Sequence, residues 1–265
     1  MKYFTIFGNP VEHSKSPIMH NSGFKYINFD ANYSKTLLKD GNDIKKVFLE
    51  NNFKGANITV PYKEIAFKNA DIVDELAQKI GAVNTYINEN GKIKSYNTDA
   101  LGFYEAIKEY KDVKNTLLIG AGGTAKAIAV ILKEKGYNLT ILNRSDKNKK
   151  FFTNLDYNFY TWDEFDINKQ YDLIINSTSA GLSDDNYPAP IEILKPILKN
   201  AKYAVDCIYG KITPFLKLAK EYKLTYKDGE DMLLYQGVLA FELFTGYKAD
   251  KNLIEVMRKG LNDIC

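Results

Sequence analysis

A short apolar run followed at once by a glycine-rich loop is the feature that most limits how this chain can fold. Thr116–Ile119 is a strand candidate, and apolar residues recur at helical spacing from Ala125 to Leu132. Strand, tight glycine turn and helix in this order are typical of nucleotide-binding α/β domains, because glycines admit positive φ and a helix N-terminus attracts anions. An ordinary strand-to-helix turn is the alternative. The loop consists of Gly120, Ala121, Gly122, Gly123, Thr124 and Ala125.

The end of the next expected strand indicates which dinucleotide such a loop would bind. About twenty residues after the loop, a site for NAD carries Asp or Glu against the ribose 2′-hydroxyl. This chain has Asn143, Arg144 and Ser145 there. A guanidinium can pair with a 2′-phosphate, which a carboxylate would repel. Arg144, one of only two arginines in the chain, therefore favours NADP over NAD, the alternative being an ordinary exposed arginine.

Apolar runs and helical patterns alternate over most of the 265 residues, which predicts an α/β protein with parallel sheets covered by helices. The last thirty-odd residues show no strand pattern; helices are expected from Met232 to Leu243 and over Leu253–Leu261, where they could pack back on the first domain. The length suits two domains or one large α/β unit. The expected strands are Tyr3–Phe7, Ala31–Thr36, Gly55–Val60, Thr116–Ile119, Asn138–Leu142, Leu173–Asn176 and Tyr203–Asp206.

The composition excludes several function classes. A net charge of +3 gives no support to nucleic-acid binding, which calls for clustered Lys and Arg. The two cysteines and two histidines form no metal-ligand spacing and no disulfide framework, so no metal site is expected. No apolar run reaches the ~18 residues of a membrane span. A cytoplasmic protein is the expectation, since few cysteines suit a reducing compartment.

Two hydroxyl side chains precede the first expected helix. Ser16, directly before Pro17, is predicted to be its N-cap residue, with Pro17 as the first helical position. Ser14 has no such structural need. Two hydroxyls beside a helix N-terminus suit a carboxylate ligand. His13 is more typical of an ordinary hydrogen-bonded histidine than of a metal ligand.

A lysine follows the strand that ends at Pro61. Ligands bind at the carboxyl ends of strands in parallel α/β sheets, so Lys63, expected in the turn there, is a candidate, although most of the 34 lysines are solvated. Amides, hydroxyls and one carboxylate also stand among apolar neighbours near Asn84 and Asp99. Asp99 has an equally good structural interpretation as the cap of the next helix.

Taken together and in this order, these segments resemble the shikimate dehydrogenase family. The resemblance covers nearly the whole chain; each block alone is weak, but nine in order are highly specific. The blocks are Gly8-x-Pro10-x-x-His13-Ser14-x-Ser16-Pro17-x-x-His20-Asn21, Asn57–Lys63, Gly81–Thr85, Asn97-Thr98-Asp99-x-x-Gly102, Gly120–Ala125, Asn143–Ser145, Asn176–Gly181, Asp206-x-x-Tyr209 with Thr213–Leu216, and Met232-Leu233-x-x-Gln236-Gly237.

The resemblance implies an N-terminal α/β substrate-binding domain and a Rossmann-type NADP-binding domain. Residues 1–100 and 237–265 would form the first and residues 101–236 the second. The implied activity is the reversible NADPH-dependent reduction of 3-dehydroshikimate to shikimate in the chorismate and aromatic amino acid pathway. Lys63 and Asp99 would be the catalytic pair. Carried over by position, the substrate would meet Ser14, Ser16, Thr59, Lys63, Asn84, Asp99, Tyr209 and Gln236.

The family pattern also implies a set of NADP contacts, and this chain departs from it twice. Asp231 stands where relatives commonly have a glycine whose backbone approaches the nicotinamide amide. Lys147 stands where a second basic residue often follows the arginine. Its ammonium is a point charge, whereas a guanidinium could form two parallel hydrogen bonds to a phosphate. The implied cofactor residues are the Gly120–Ala125 loop, Asn143, Arg144, Ser145, Lys147, Cys207 and Asp231.

Two other functions stay open. The same fold could serve a non-catalytic module that senses NADP or a metabolite, since fold alone does not give function, but the presence of both Lys63 and Asp99 argues against it. A quinate/shikimate dehydrogenase that uses NAD is the closer alternative, and Arg144 argues against that one. The sequence does not fix the oligomeric state, with a homodimer among the alternatives.

Overall fold

The computed structural model describes residues 1 to 262 and divides them into two compact units. The first comprises Met1–Gly102 and the described residues from Leu234 onward, and the second comprises Phe103–Leu233. The chain passes from one unit to the other inside two helices, Thr98–Ile107 and Glu230–Thr245. Each unit contains a six-stranded sheet.

The strands and helices follow one another along the chain in mostly short segments. The strands are β1 (Lys2–Gly8), β2 (Ala31–Leu37), β3 (Gly55–Ile58), β4 (Ile72–Val73), β5 (Thr85–Glu89), β6 (Lys92–Tyr96), β7 (Asn115–Ile119), β8 (Asn138–Asn143), β9 (Asn158–Thr161), β10 (Leu173–Asn176), β11 (Tyr203–Asp206) and β12 (Thr225–Lys227). The helices are α1 (Ser16–Tyr26), α2 (Ile44–Glu50), α3 (Lys63–Asn69), α4 (Glu75–Ile80), α5 (Thr98–Ile107), α6 (Gly123–Glu134), α7 (Lys149–Thr153), α8 (Ile191–Lys199), α9 (Pro214–Glu221), α10 (Glu230–Thr245) and α11 (Lys251–Asn262).

The sheet of the first unit is mixed, so the prediction of parallel sheets holds only in part there. Its strand order is β2-β1-β3-β5-β6-β4. Strand β1 lies parallel to both β2 and β3, whereas β5 runs antiparallel to β3 and to β6. The antiparallel pairing of β5 with β6 comes from a two-residue turn at Asn90 and Gly91, which both have positive φ. Such a turn can join only antiparallel neighbours.

The two C-terminal helices pack against the first unit, as predicted. Helix α11 contacts α1, and the Phe241 ring of α10 lies 5.2 Å from that of Phe24 in α1. On the same side, Phe4 of β1 lies 4.8 Å from Phe244, measured between ring centroids. Aromatic pairs at these separations stabilise the contact beyond the area they bury. The fold therefore holds α10 firmly against β1 and α1.

The sheet of the second unit is parallel throughout, with the order β12-β11-β10-β7-β8-β9. Counted within this unit, the order is 6-5-4-1-2-3, which is that of doubly wound dinucleotide-binding domains. The order reverses between β7 and β10, and ligands bind at such a point, beyond the carboxyl ends of the strands. In the described part of the chain, no helix is long and apolar enough to cross a bilayer.

Candidate active site

Lys63 and Asp99 form an ion pair in the first unit. The Lys63 Nζ lies 2.6 Å from the Asp99 Oδ2, and the two side chains are 24% and 11% exposed. Lys63 is the first residue of α3 rather than part of a turn, so the helix start fixes its backbone. Asp99 does not cap α5, because the Asn97 side-chain oxygen accepts the Ala100 N–H instead. The Asp99 carboxylate is therefore left to bind Lys63.

Asn84 connects this pair to α10. Its Nδ2 donates to the Asp99 Oδ1 at 3.0 Å and also lies 3.3 Å from the Gln236 Oε1. Its Oδ1 accepts the Thr98 backbone N–H at 2.8 Å, which fixes the orientation of the amide because that N–H can only donate. The structure thus brings together Lys63, Asn84, Asp99 and Gln236, four of the residues predicted from the sequence.

A glycine allows α10 to approach α5 at this point. A Cβ on Gly102 would lie 2.6 Å from the backbone nitrogen of Gln236 and 2.7 Å from its Cβ. Real Cβ atoms do not come that close to backbone, so only glycine fits at this position. The Gly102 of the sequence block therefore sets the position of Gln236.

The segment with the two serines folds differently from the prediction. Helix α1 begins at Ser16 itself, because Lys15 already has helical dihedral angles, and no side chain acts as its cap. The prediction that Ser16 is the N-cap residue is wrong. The backbone N–H of Ser16 donates to the Ser14 Oγ at 3.3 Å, so Ser14 has the local structural role that the sequence did not indicate.

Thr59 lies just beyond the carboxyl end of β3, beside the end of β1. Its backbone N–H donates to the Phe7 carbonyl, and a Cβ on Gly8 would lie 2.5 Å from the Thr59 Cγ2. The hydroxyl-bearing segment from Ser14 to Ser16 follows β1 by a few residues. The ends of two parallel strands therefore bring Thr59 next to Gly8, from which the chain continues towards that segment.

The glycine loop in the second unit fits a dinucleotide phosphate. Gly120 has φ +109°, and a Cβ there would lie 2.7 Å from the Ser177 Oγ, so both its conformation and its surroundings require glycine. Gly122 is the N-cap residue of α6. A Cβ on Gly122 or Gly123 would meet nothing within 4 Å. The N-terminus of a twelve-residue helix therefore stands open, with backbone N–H groups and the helix dipole directed outward.

A cavity of about 750 Å³ lies beside the end of β8 in the same unit. Asn143 and Arg144 line it together with Trp162 and the segment after β10. Its size and its guanidinium suit an adenosine 2′-phosphate group. The backbone carbonyl of Ser145 accepts a hydrogen bond from the Asn143 Nδ2 at 2.8 Å, which fixes the position of Ser145.

The segment after Arg144 is attached to the glycine loop. Asn148 has a left-handed conformation with φ +64°, and its Nδ2 donates to the Ala121 carbonyl at 2.8 Å. Lys147 immediately precedes it and is exposed. A hydrogen bond thus connects the glycine loop to the residue that directly follows Lys147.

A buried carboxylate organises the carboxyl ends of β10 and β11. Asp206 is 0% exposed and accepts hydrogen bonds from the Thr213 hydroxyl at 2.7 Å, the Ile208 N–H at 2.9 Å and the Asn176 Nδ2 at 3.1 Å. Burial raises the pKa of the Asp206 carboxyl, and the hydrogen bonds oppose this shift. Ile208 directly precedes Tyr209 in the chain. Burial also raises the pKa of the Tyr209 hydroxyl. Sequence reasoning gave Asp206 no role.

Asp231 has a defined partner. Its Oδ2 lies 2.8 Å from the Lys227 Nζ, which also contacts the Glu109 Oε1 at 2.6 Å. Burial would lower the pKa of Lys227, but the hydrogen bonds to Asp231 and Glu109 raise it overall. Next to this group, a Cβ on Gly229 would lie 2.3 Å from the Cys207 carbonyl oxygen. Cys207 and the start of α10 are thus in close contact within the second unit.

Comparisons with known proteins agree with this geometry. Three family models match: the shikimate dehydrogenase substrate binding domain over residues 6–86, shikimate / quinate 5-dehydrogenase over residues 105–183, and the shikimate 5′-dehydrogenase C-terminal domain over residues 229–259. The shikimate dehydrogenase (NADP(+)) of Helicobacter hepaticus is 47% identical over 257 residues, covering 97% of this chain and 96% of that protein. That of Helicobacter pylori is 44% identical over 263 residues, covering 97% and 98%.

Solved structures give the same result. Shikimate 5-dehydrogenase from Thermus thermophilus, in complex with NADP(H) and shikimate, has a TM-score of 0.87 at 31% identity and covers 99% of both chains. Shikimate dehydrogenase from Aquifex aeolicus has a TM-score of 0.89 at 33% identity, with 99% and 98% covered. These findings confirm the predicted resemblance and the predicted α/β fold class. The chain belongs to the shikimate dehydrogenase family.

Proposed function

We propose that this protein is an NADP-dependent shikimate dehydrogenase, which interconverts 3-dehydroshikimate and shikimate in aromatic amino acid biosynthesis. The observation that carries the proposal is the group formed by Lys63, Asn84, Asp99 and Gln236 at a partly exposed position in the first unit. Relatives that match almost all of the chain are named for this activity and for NADP(+). The predicted enzyme class and cofactor are confirmed by these relatives.

The reaction needs a proton donor for the oxygen of the ring ketone. NADPH supplies a hydride to the carbonyl carbon when it is bound. The Lys63 ammonium is the group we propose to stabilise the negative charge that develops on the oxygen and to give it a proton. In the oxidation of shikimate the lysine takes that proton back. Asp99 orients Lys63 through its Oδ2 and is exposed enough to bond a neighbouring ring hydroxyl.

A set of polar residues in the first unit is proposed to hold the substrate. Ser14 and Ser16 bind its carboxylate. The ring hydroxyls bond to Asn84, Thr59, Asp99 and Gln236. The Asn84 amide supports this role, because its orientation is fixed before any ligand binds. Tyr209 in the second unit is proposed as a further substrate contact.

The second unit is proposed to bind NADP. The open glycines at the start of α6 support a pyrophosphate contact by Gly120–Ala125. The 750 Å³ cavity supports binding of the 2′-phosphate by Arg144, with Asn143, Ser145 and Lys147 beside it. Cys207 and Asp231 are proposed as contacts to the nicotinamide end.

Initial rates with shikimate and quinate, each with NADP and NAD, test the proposal. We expect shikimate with NADP to be the preferred combination. The match to a family model named shikimate / quinate 5-dehydrogenase over residues 105–183 makes quinate the comparison to include. Turnover of quinate alone, or a preference for NAD, would refute the assignment. A cytoplasmic location and a homodimer stay predictions, the second of which sedimentation analysis can test.

A further inference from the structure

The His20-Asn21 pair of the N-terminal motif holds a tyrosine of the neighbouring strand. The His20 ring stacks on the Tyr33 ring with centroids 4.4 Å apart and an angle of 4°. The Asn21 side chain bonds the Tyr33 backbone in both directions, accepting its N–H at 2.8 Å and donating to its carbonyl at 2.9 Å. Helix α1 therefore fixes both the backbone and the ring of Tyr33 in β2.

The Tyr33 hydroxyl begins a chain of hydrogen bonds whose direction is fixed. It lies 2.7 Å from the Asn57 Oδ1. The Asn57 Nδ2 lies 3.2 Å from the Asn84 carbonyl, which can only accept, so the amide nitrogen must face that way and its oxygen must face Tyr33. The tyrosine hydroxyl is consequently the donor. Burial raises its pKa well above the ordinary value, which keeps the proton on this oxygen.

The next links transmit this direction to Asn84. The Asn57 Nδ2 also donates to the Thr85 Oγ1 at 3.1 Å, and the Thr85 hydroxyl donates to the Asn84 Oδ1 at 3.0 Å. The opposite side of that amide then donates to Asp99, which binds Lys63. Each donor along this series points towards the ion pair.

No bulk water can replace a missing link in this series. The exposed fractions of Tyr33, Asn57, Thr85 and Asn84 are 2%, 5%, 0% and 2%. A buried polar atom that loses its partner is costly, so the neighbouring groups reorient to satisfy it. If the tyrosine donor is removed, the Asn57 Oδ1 is left without a donor in a buried site, and the Asn57 amide loses one of the contacts that hold it in line to donate to Thr85.

We propose that Tyr33 is a positioning residue for the reaction, acting through Asn57, Thr85 and Asn84 on the Lys63–Asp99 pair. This inference rests on the proposed function and adds to it a role for residues that contact neither Lys63 nor Asp99 directly. It also explains why His20 and Asn21 belong to the motif, since they hold the ring whose hydroxyl starts the series.

The substitution Tyr33→Phe tests the proposal because it removes the donor and keeps the stacked ring. We expect kcat/KM for shikimate to fall by about fivefold or more, with KM for NADP unchanged. The matched control is Tyr86→Phe: Tyr86 is also fully buried in this unit and donates to the Ala66 carbonyl, outside the series. We expect the control to lower the melting temperature comparably and to keep kcat/KM within about twofold.

Thr85→Val interrupts the same series of hydrogen bonds at its middle. This variant provides the test if Tyr33→Phe does not fold. If both residues act through one series, the double variant should be no slower than the slower single variant, because the second substitution breaks a connection already broken. Multiplicative losses, or a Tyr33→Phe enzyme with normal kcat/KM, would overturn the proposal. Failure of the wild-type protein to oxidise shikimate would instead refute the proposed function, and the positioning role with it.

Discussion

The Lys63 Nζ and the Asp99 Oδ2 are 2.6 Å apart, although the two residues are separated by 36 positions and belong to different helices. Both lie in the first turn of their helix, Lys63 in α3 and Asp99 in α5. Their side chains are shielded but not closed off, being 24% and 11% exposed. A small molecule can therefore reach a charge pair whose geometry is set by the fold.

Replacing Lys63 by alanine should act mainly on the chemical step. The ammonium interacts most strongly with the alkoxide that develops in the transition state, so we expect kcat to fall by about 10² or more. KM for shikimate should change by less than about tenfold. Steady-state kinetics and direct titration of shikimate measure both effects. The control is Lys68→Ala, which removes an exposed lysine from the same helix.

The comparison variant for this prediction is Asp99→Asn. It should lower both kcat and shikimate affinity, because the carboxylate that contacts Lys63 is also the one proposed to bind a ring hydroxyl. A Lys63→Ala enzyme with near-normal kcat and only a raised KM would make Lys63 a binding residue. The proton donor would then have to be sought at Asp99, Tyr209 or water.

Arg144→Ala should impair NADP selectively. The guanidinium lines the cavity beside β8, and a charge-assisted hydrogen bond contributes about 1.5–3 kcal/mol. We expect KM for NADP to rise at least about tenfold, while KM for NAD changes little. Arg258→Ala, which removes the other arginine of the chain, is the control. Equal effects of Arg144→Ala on both cofactors would show that this side chain does not bind the 2′-phosphate.

Gly102→Ala should disturb substrate binding through Gln236. The added Cβ would lie 2.6 Å from the Gln236 backbone nitrogen, so α10 must shift away from α5. Overpacking of this kind costs about 1–3 kcal/mol of unfolding free energy, and KM for shikimate should rise with it. Chemical denaturation and kinetics measure the two effects.

Gly260→Ala is the matched control for that substitution. It adds the same methyl group to helix α11 of the same unit, 2.9 Å from the Ser22 Oγ of α1 rather than against α10. We expect it to lower stability and to leave KM unchanged. If both variants raise KM equally, the close contact of Gly102 has no special relation to the site.

His20 should make the protein less stable in mild acid. Burial lowers its pKa from 6.5 to about 3, so the unfolded state binds the proton more readily and stability falls as the pH drops below about 6.5. Between pH 8 and pH 5 this group should lower the free energy of unfolding by ~2 kcal/mol. Urea denaturation of the wild type and of His20→Phe across this range measures the difference.

In His20→Phe, the free energy of unfolding should not show this part of the decrease in mild acid. His13→Gln is the control, since it replaces an exposed histidine and keeps the buried imidazole. Identical pH dependence in wild type and His20→Phe would show that the buried ring is protonated as readily in the folded protein as in the unfolded chain.

Local patterns predicted the four central strands of the second sheet, which are mostly apolar and buried, but not its edge strands β9 and β12. The hairpin of β5 and β6 was not predicted, although Asn90-Gly91 is the strongest short-range signal for one. Charged residues at both strand ends weaken its apolar pattern. The structure shows that the turn, rather than hydrophobicity, defines this part of the first sheet.

The residues of the candidate site were likewise predicted only in part. Lys63, Asn84, Asp99 and Gln236 were identified from the sequence through motifs whose order carried the information. Tyr33, Thr85 and the roles of His20 and Asn57 were not, because their contacts join positions 12 to 28 residues apart and depend on strand pairing. The error at Ser16 was local, since a residue preference cannot distinguish a helix start from a position one residue earlier.

The hydrogen bond from Asn148 to the Ala121 carbonyl has a consequence for coenzyme engineering. The segment from Asn143 to Asn148 has a fixed length between the end of β8 and its anchor on the glycine loop. Exchanging side chains at Arg144 or Lys147 leaves that span unchanged, so a conversion towards NAD can proceed by substitution there. Inserting or deleting a residue within the span would displace Asn148 and break its hydrogen bond to the glycine loop. If Arg144 binds the 2′-phosphate as proposed, we therefore expect coenzyme preference to respond to side-chain exchange in this segment and not to a change in its length.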